Sequence, residues 1–199
     1  MFSLQPVTLL LVLANVGVYF LQQDLLEHTL VRYALWPVGS GLLEPWQVIS
    51  YSFLHASATH LGFNMLALFM FGAEVEHELG SPKYLLYYFV CVLTAALVQL
   101  AVTIMHVSQA GYTVGASGGV FGLLLAFGML FPKRKLVPLV LPIPMPAWLF
   151  VTLYGAVELW LGVTQTLEGV AHFAHLGGML GGWLLLQYWL PCRRAAAGR

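Results

Sequence analysis

The sequence predicts an all-α membrane protein: a bundle of six transmembrane helices with a long loop following the first. Two observations carry that prediction. Of 199 residues, 60% are hydrophobic and only 8% are charged, with a mean hydropathy of +0.84. Soluble globular proteins carry about 25% charged residues, so eight basic and eight acidic side chains cannot clothe a water-facing surface around this much apolar material. The charges are also clustered, with long apolar gaps between the clusters. Composition therefore excludes a soluble enzyme and a disordered chain. The even charge balance leaves no basic excess for phosphates, which excludes a nucleic-acid partner.

A charge in the hydrocarbon core costs several kcal/mol, so charge-free gaps mark crossings of about 20 apolar residues each. The gaps before Asp24, between Glu44 and Glu74, between Lys135 and Glu158, and between Glu168 and Arg193 each hold one span. The gap 84–132 is too long for one helix, and its polar interior His106–Gly115 reads as a loop between two. The expected spans are Pro6–Leu21, Leu61–Val75, Tyr84–Met105, Ala116–Phe131, Pro146–Val163 and Val170–Leu190. The first has no basic flank before it and no small-residue cleavage site after it, so it reads as a retained helix rather than a cleaved leader. Residues 1–199 form a single membrane domain, with no soluble domain expected at either end. Cys91 and Cys192 are far apart and imply neither a disulfide nor a zinc motif.

With cytoplasmic termini, Lys83, Lys133, Arg134, Lys135, Arg193, Arg194 and Arg199 all lie inside and only Arg32 lies outside. That asymmetry sets the orientation. The outer face then carries the loop Gln22–Thr59. Its segment 33–46, rich in Trp, Pro and Gly, reads as an interfacial hairpin anchored by Trp36 and Trp46.

Polar residues left inside the spans are functional candidates, because lipid makes them expensive. Gly115-Ala116-Ser117-Gly118-Gly119 matches G-x-S-x-G, but no strand precedes it as the soluble nucleophile elbow requires. It reads either as a helix-packing stretch or as a hydroxyl exposed at a helix N-terminus, where the dipole favours an oxyanion. His172 and His175 open the sixth helix, followed by the interleaved pairs Gly177/Gly181 and Gly178/Gly182. These ridges allow close approach to the fourth helix and would bring His175 within reach of Ser117, the minimal activated nucleophile. His60 and Asn64, four residues apart on one helical face, could donate to an oxyanion or clasp a neighbouring helix. Glu158 is the one acid within a span, and reads as solvated or structural, or as part of a proton path.

Taken together these residues resemble the rhomboid family of intramembrane serine proteases. The resemblance rests on His60-xxx-Asn64, the Gly-Ala-Ser117-Gly segment, Ala174-His175-Leu176-Gly177-Gly178, and Gly72-Ala-Glu-Val-Glu76 followed by Leu79-Gly80-Ser81, all in the same order and helix register. It implies a six-helix core opened toward the outer face and a Ser–His dyad with neither metal nor cofactor. Carried over, Ser117 is the nucleophile and His175 the general base. His60, Asn64 and the Ser117 backbone N–H are the oxyanion stabilisers, and Phe121 is the aromatic packed against the catalytic histidine. His172, a turn nearer the outer surface than His175, is given either a supporting role toward water, substrate backbone or the oxyanion, or a purely structural one. The family's first loop often has Trp-Arg where this chain has Trp46-Gln47, which implies altered loop anchoring or lipid contact.

Asp24, Glu27, Glu44 and Glu168 are expected in outer loops, and Glu74, Glu76 and Glu78 at the inner end. No acid is a helical neighbour of His175, so the expectation is a dyad oriented by packing, with Phe121 its support. Water reaches it through a cavity bounded by the second, fourth and sixth helices. Substrates implied by the resemblance are single-span membrane proteins within the lipid bilayer, cut at a small residue in a segment that unwinds easily. The bacterial inner membrane is the expected location. A metalloprotease is disfavoured because H-E-x-x-H is missing. An inactive, substrate-binding relative is disfavoured because both Ser117 and His175 are kept. A transporter is disfavoured because no inverted repeat is visible.

Overall fold

The computed structural model describes residues 5–24, 26–105, 111–138, 142–166 and 169–197. The chain runs α1 (Pro6–Asp24), α2 (Leu26–Tyr33), α3 (Gln47–Ser50), α4 (Ala58–Ala67) and α5 (Ala73–Leu79), then α6 (Ser81–Ile104), α7 (Ser117–Leu130), α8 (Ala147–Thr164) and α9 (His172–Ala197). A π-helical turn, Leu68–Gly72, joins α4 to α5 as one continuous helix. The first part of the loop expected over 106–115, together with Glu168 and Arg199, lies outside the described residues.

Helices suit a chain with so few charges, since they satisfy every backbone group within one segment in lipid. Among the described residues, α1, α6 and α8 are long and apolar enough to cross a membrane, and the pair Gln47–Phe53 and Ala58–Leu79, bent by 97°, adds a fourth if it is counted as one span. Helix α7 is shorter, with 14 residues. At ~1.5 Å per residue it rises about 21 Å, less than the ~30 Å of hydrocarbon. Ser117 is its first residue.

Helices α6, α7 and α9 form the centre of the bundle. Tyr84, Tyr87 and Tyr88 of α6 are fully buried. The Tyr87 hydroxyl donates to the Gly122 carbonyl at 2.8 Å, and Tyr51 donates to Val92 at 2.9 Å. The glycine ridges of α9 turn differently from expectation. Gly177, Gly181 and Gly182 face α6, against Thr94, Ala95, Val98, Tyr87 and Cys91, and Gly178 meets α7. There the backbones touch: a Cβ on Gly178 would sit within the Gly118 carbonyl group, 2.7 Å from its carbon. Two adjacent i, i+4 ridges lie roughly 100° apart on a helix, so one stripe cannot face one neighbour alone.

At the end remote from Ser117, Glu76 is buried and caps α1. It accepts from the Val7 and Thr8 backbone N–H groups at 3.0 and 2.7 Å, and from the Thr8 and Ser81 hydroxyls at 2.8 and 2.6 Å. A carboxylate at a helix N-terminus complements the dipole there. On the same side, Lys135–Leu136 (β1) pairs antiparallel with Met145–Pro146 (β2), and Arg134 bridges Glu74 at 2.8 Å.

The expected hairpin at 33–46 is part of a more ordered loop that includes α2 and α3. Leu35 forms a β-bridge with Thr113, while the Trp36 and Trp46 indoles donate to the carbonyls of Leu30 and Arg32. Gln47, standing where the family often has arginine, is fully buried. It accepts from the Trp36 N–H at 3.3 Å and donates to the carbonyls of Leu42 and Arg32 at 2.9 and 3.3 Å. A neutral amide thus anchors this loop.

Candidate active site

Ser117 is the first residue of α7, immediately after Gly115 and Ala116. Gly115 takes φ +125°, a conformation that side chains rarely adopt, and its N–H donates to the Tyr51 carbonyl at 2.9 Å. A Cβ there would also strike the His60 ring at 2.8 Å. This glycine therefore lets α4 bring His60 beside the start of α7. The first-turn N–H groups of α7 have no i−4 partners, so they remain available to an anion next to the Ser117 hydroxyl.

From α9, the His175 Nε2 lies 2.9 Å from Ser117 Oγ. The Phe121 ring, one turn below Ser117, stacks on the imidazole with centroids 4.1 Å apart and planes 4° from parallel. Tyr154 of α8 stacks in turn on Phe121 at 5.3 Å. His175 is 8% exposed, and Ser117 is half-buried.

An acid does reach His175, contrary to the expectation of a dyad oriented by packing alone. Glu158 Oε2 lies 2.8 Å from His175 Nδ1 and 2.8 Å from His172 Nδ1. The acid comes from the adjacent helix α8, so a search among neighbours of His175 along its own helix misses it. All three side chains are buried. The wall of the site consequently includes α8 besides the helices that carry His60, Ser117 and His175. The His172 ring is directed at Glu158, and its buried Nε2 has no hydrogen-bond partner among the described residues. Asn64 is buried on α4, and its amide donates to the His60 carbonyl at 3.1 Å.

A family model described as the rhomboid domain matches residues 42–192, about three quarters of the chain. The chain belongs to the rhomboid family. Relatives include rhomboid protein 1, mitochondrial, of Saccharomyces cerevisiae, 33% identical over 144 residues that make up 71% of this chain and 41% of the yeast protein. Rhomboid protease GlpG of Serratia proteamaculans is 29% identical over 192 residues, 96% of this chain and 64% of the relative. RHOMBOID-like protein 4 of Arabidopsis thaliana is 33% identical over 148 residues, 71% of this chain and 33% of the plant protein. The chain therefore spans between about a third and just under two thirds of the length of these relatives. Family membership and the apolar helices together make it an integral membrane protein.

Every site residue considered above lies within the matched rhomboid region. The matched region also contains a group of side chains that could hold a metal ion: ligand atoms of Glu158, His172 and His175 lie within 4.8 Å of one another. The two N···O separations of 2.8 Å are those of hydrogen bonds. Ligands bound to tetrahedral zinc at ~2.0–2.1 Å stand roughly 3.3 Å apart. The described geometry fits proton sharing better than metal ligation.

Proposed function

We propose that this rhomboid-family chain is an intramembrane serine endopeptidase that cleaves single-span membrane proteins. One observation carries the reading: a hydroxyl at the first turn of a helix lies 2.9 Å from the unencumbered ring nitrogen of a buried histidine. That is the geometry of an activated nucleophile.

The reaction is acyl transfer. Ser117 Oγ attacks the scissile carbonyl carbon as its proton passes to His175 Nε2, and the carbonyl π pair moves onto oxygen. The resulting oxyanion is stabilised by the Ser117 backbone N–H, the helix dipole of α7, and His60 and Asn64. Collapse of this intermediate breaks the C–N bond, with His175 Nε2 giving its proton to the leaving amine. Water, deprotonated by the same nitrogen, then hydrolyses the acyl-enzyme. An intact substrate helix hides its carbonyls in lipid, so the preferred site is a segment that unwinds, cut beside a small residue. The chain lies in a bacterial inner membrane with its termini in the cytoplasm.

The test is cleavage in proteoliposomes of a single-span substrate with a glycine- or alanine-rich segment, followed by mass analysis of the fragments. Wild-type protein produces two fragments from one peptide bond, and Ser117→Ala produces none. EDTA leaves the rate unchanged. Cleavage by Ser117→Ala at the wild-type rate, or inhibition by EDTA reversed by zinc, would contradict the reading.

A further inference from the structure

We infer that Glu158 is the positioning residue for the Ser117–His175 pair, and that His172 is the second clamp on its carboxylate. The inference rests on the protease reading above and concerns how His175 is held in its working state.

An ionised carboxylate is an acceptor only. With an ionised Glu158 Oε2 at 2.8 Å from both Nδ1 atoms, each imidazole carries its proton on Nδ1. That assigns the tautomer of His175. Its Nε2 keeps a lone pair, and this is the nitrogen 2.9 Å from the Ser117 hydroxyl. In the opposite tautomer Nε2 would carry a hydrogen and could not take the serine proton. Hydrogen bonding at one ring nitrogen decides what the other can do.

Phe121 cannot do this alone. A face-to-face stack, 4° from parallel, sets the tilt of the imidazole but is equally satisfied after a 180° rotation about Cβ–Cγ, which exchanges Nδ1 with Cδ2. The Nδ1–H···Oε2 hydrogen bond removes that rotation. The two contacts are complementary: one fixes the plane of the ring and the other its azimuth and tautomer.

His172 completes the arrangement. A buried carboxylate with one donor would be poorly compensated, and His172 supplies a second donor to the same oxygen. Its Nε2 is buried and has no hydrogen-bond partner among the described residues. When Ser117 attacks the substrate carbonyl, the transferred proton rests on His175 Nε2, 2.9 Å from Ser117 Oγ. Glu158 stays ionised and faces the imidazolium through the Nδ1–H bond; the proton on Nδ1 does not leave, as in the soluble triad.

The test pairs a spectroscopic readout with a chemical one. Ring-15N-histidine protein in proteoliposomes reports the tautomer of His175, its signal assigned by loss in His175→Ala. A fluorophosphonate reports the nucleophilicity of Ser117 per folded molecule. In wild-type protein, His175 carries its proton on Nδ1. In Glu158→Gln the amide NH2 can face Nδ1, so a form protonated on Nε2 appears. Labelling then falls by at least about 100-fold, in line with the effect of removing the triad acid in soluble serine proteases. A folded Glu158→Gln protein with unchanged tautomer and labelling would overturn the inference. So would wild-type His175 protonated on Nε2, which decides the matter even if the glutamine variant does not fold. Zinc that copurifies and leaves with EDTA, restoring both Nδ1 protons, would also overturn it, because the metal would occupy those lone pairs. A wild-type protein with His175 protonated on Nδ1 but no labelling of Ser117 would count against the protease reading and leave the positioning in place.

Discussion

The Phe121 ring lies flat on the His175 imidazole, 4.1 Å between centroids, while Tyr154 extends the stack at 5.3 Å from Phe121. An aromatic pair of this kind contributes about 0.5–1.5 kcal/mol beyond the area it buries. Phe121→Leu keeps an apolar side chain but removes the face on which the imidazole rests. Turnover should fall by roughly 3- to 10-fold, with Ser117 still open to covalent labelling. Unchanged turnover would mean that the ring is held from Nδ1 alone.

His60 and Asn64 give a graded prediction. The His60 ring sits against Gly115 beside Ser117, and Asn64 lies one turn further along the same helix. Losing one oxyanion donor costs on the order of 10²–10³ in turnover. His60→Ala and Asn64→Ala should each show a loss of that order, with residual activity from the remaining backbone donor. If kcat is unaffected in both and only thermal stability drops, the pair is a helix clasp.

Gly178 offers a test of the scaffold. A methyl group there would enter the Gly118 backbone, which cannot move aside as a side-chain tip could. Gly178→Ala should destabilise the α7–α9 contact by about 3 kcal/mol, the upper part of the usual overpacking range. Gly62, whose Cβ direction is open, is the matched control. Thermal unfolding in detergent should fall for the first and not for the second. Equal melting temperatures would place the close approach elsewhere.

The positions of the long helices were legible because charge spacing is a one-dimensional record of where lipid begins and ends. Ser117 and His175 were legible as types in a register, and the structure brings their side chains together. What spacing could not carry was azimuth. Four glycines in α9 announce a close contact, but their division between α6 and Gly118 depends on how three helices pack at once. The pairing of Glu158 with His175 was missed for a related reason. The search for an acid followed the helix of His175, while the partner stands 17 residues earlier on a neighbouring helix. The usable signal was energetic: a carboxylate alone within a span requires a partner, and two histidines in the next helix were the available donors. Gln47 shows the reverse case, since its departure from the family's arginine implied altered anchoring, yet its amide satisfies three backbone groups of the loop.

The central claim is that Ser117 is a nucleophile activated by His175 within the bilayer. The most direct measurement is covalent labelling by a fluorophosphonate in proteoliposomes, with the modified residue located by peptide mass analysis in wild-type, Ser117→Ala, His175→Ala and His172→Ala proteins. The account predicts a single adduct on Ser117, no adduct in Ser117→Ala or His175→Ala, and a slowed but measurable reaction in His172→Ala. An adduct on another residue would contradict it, as would labelling that survives in His175→Ala and is lost in His172→Ala.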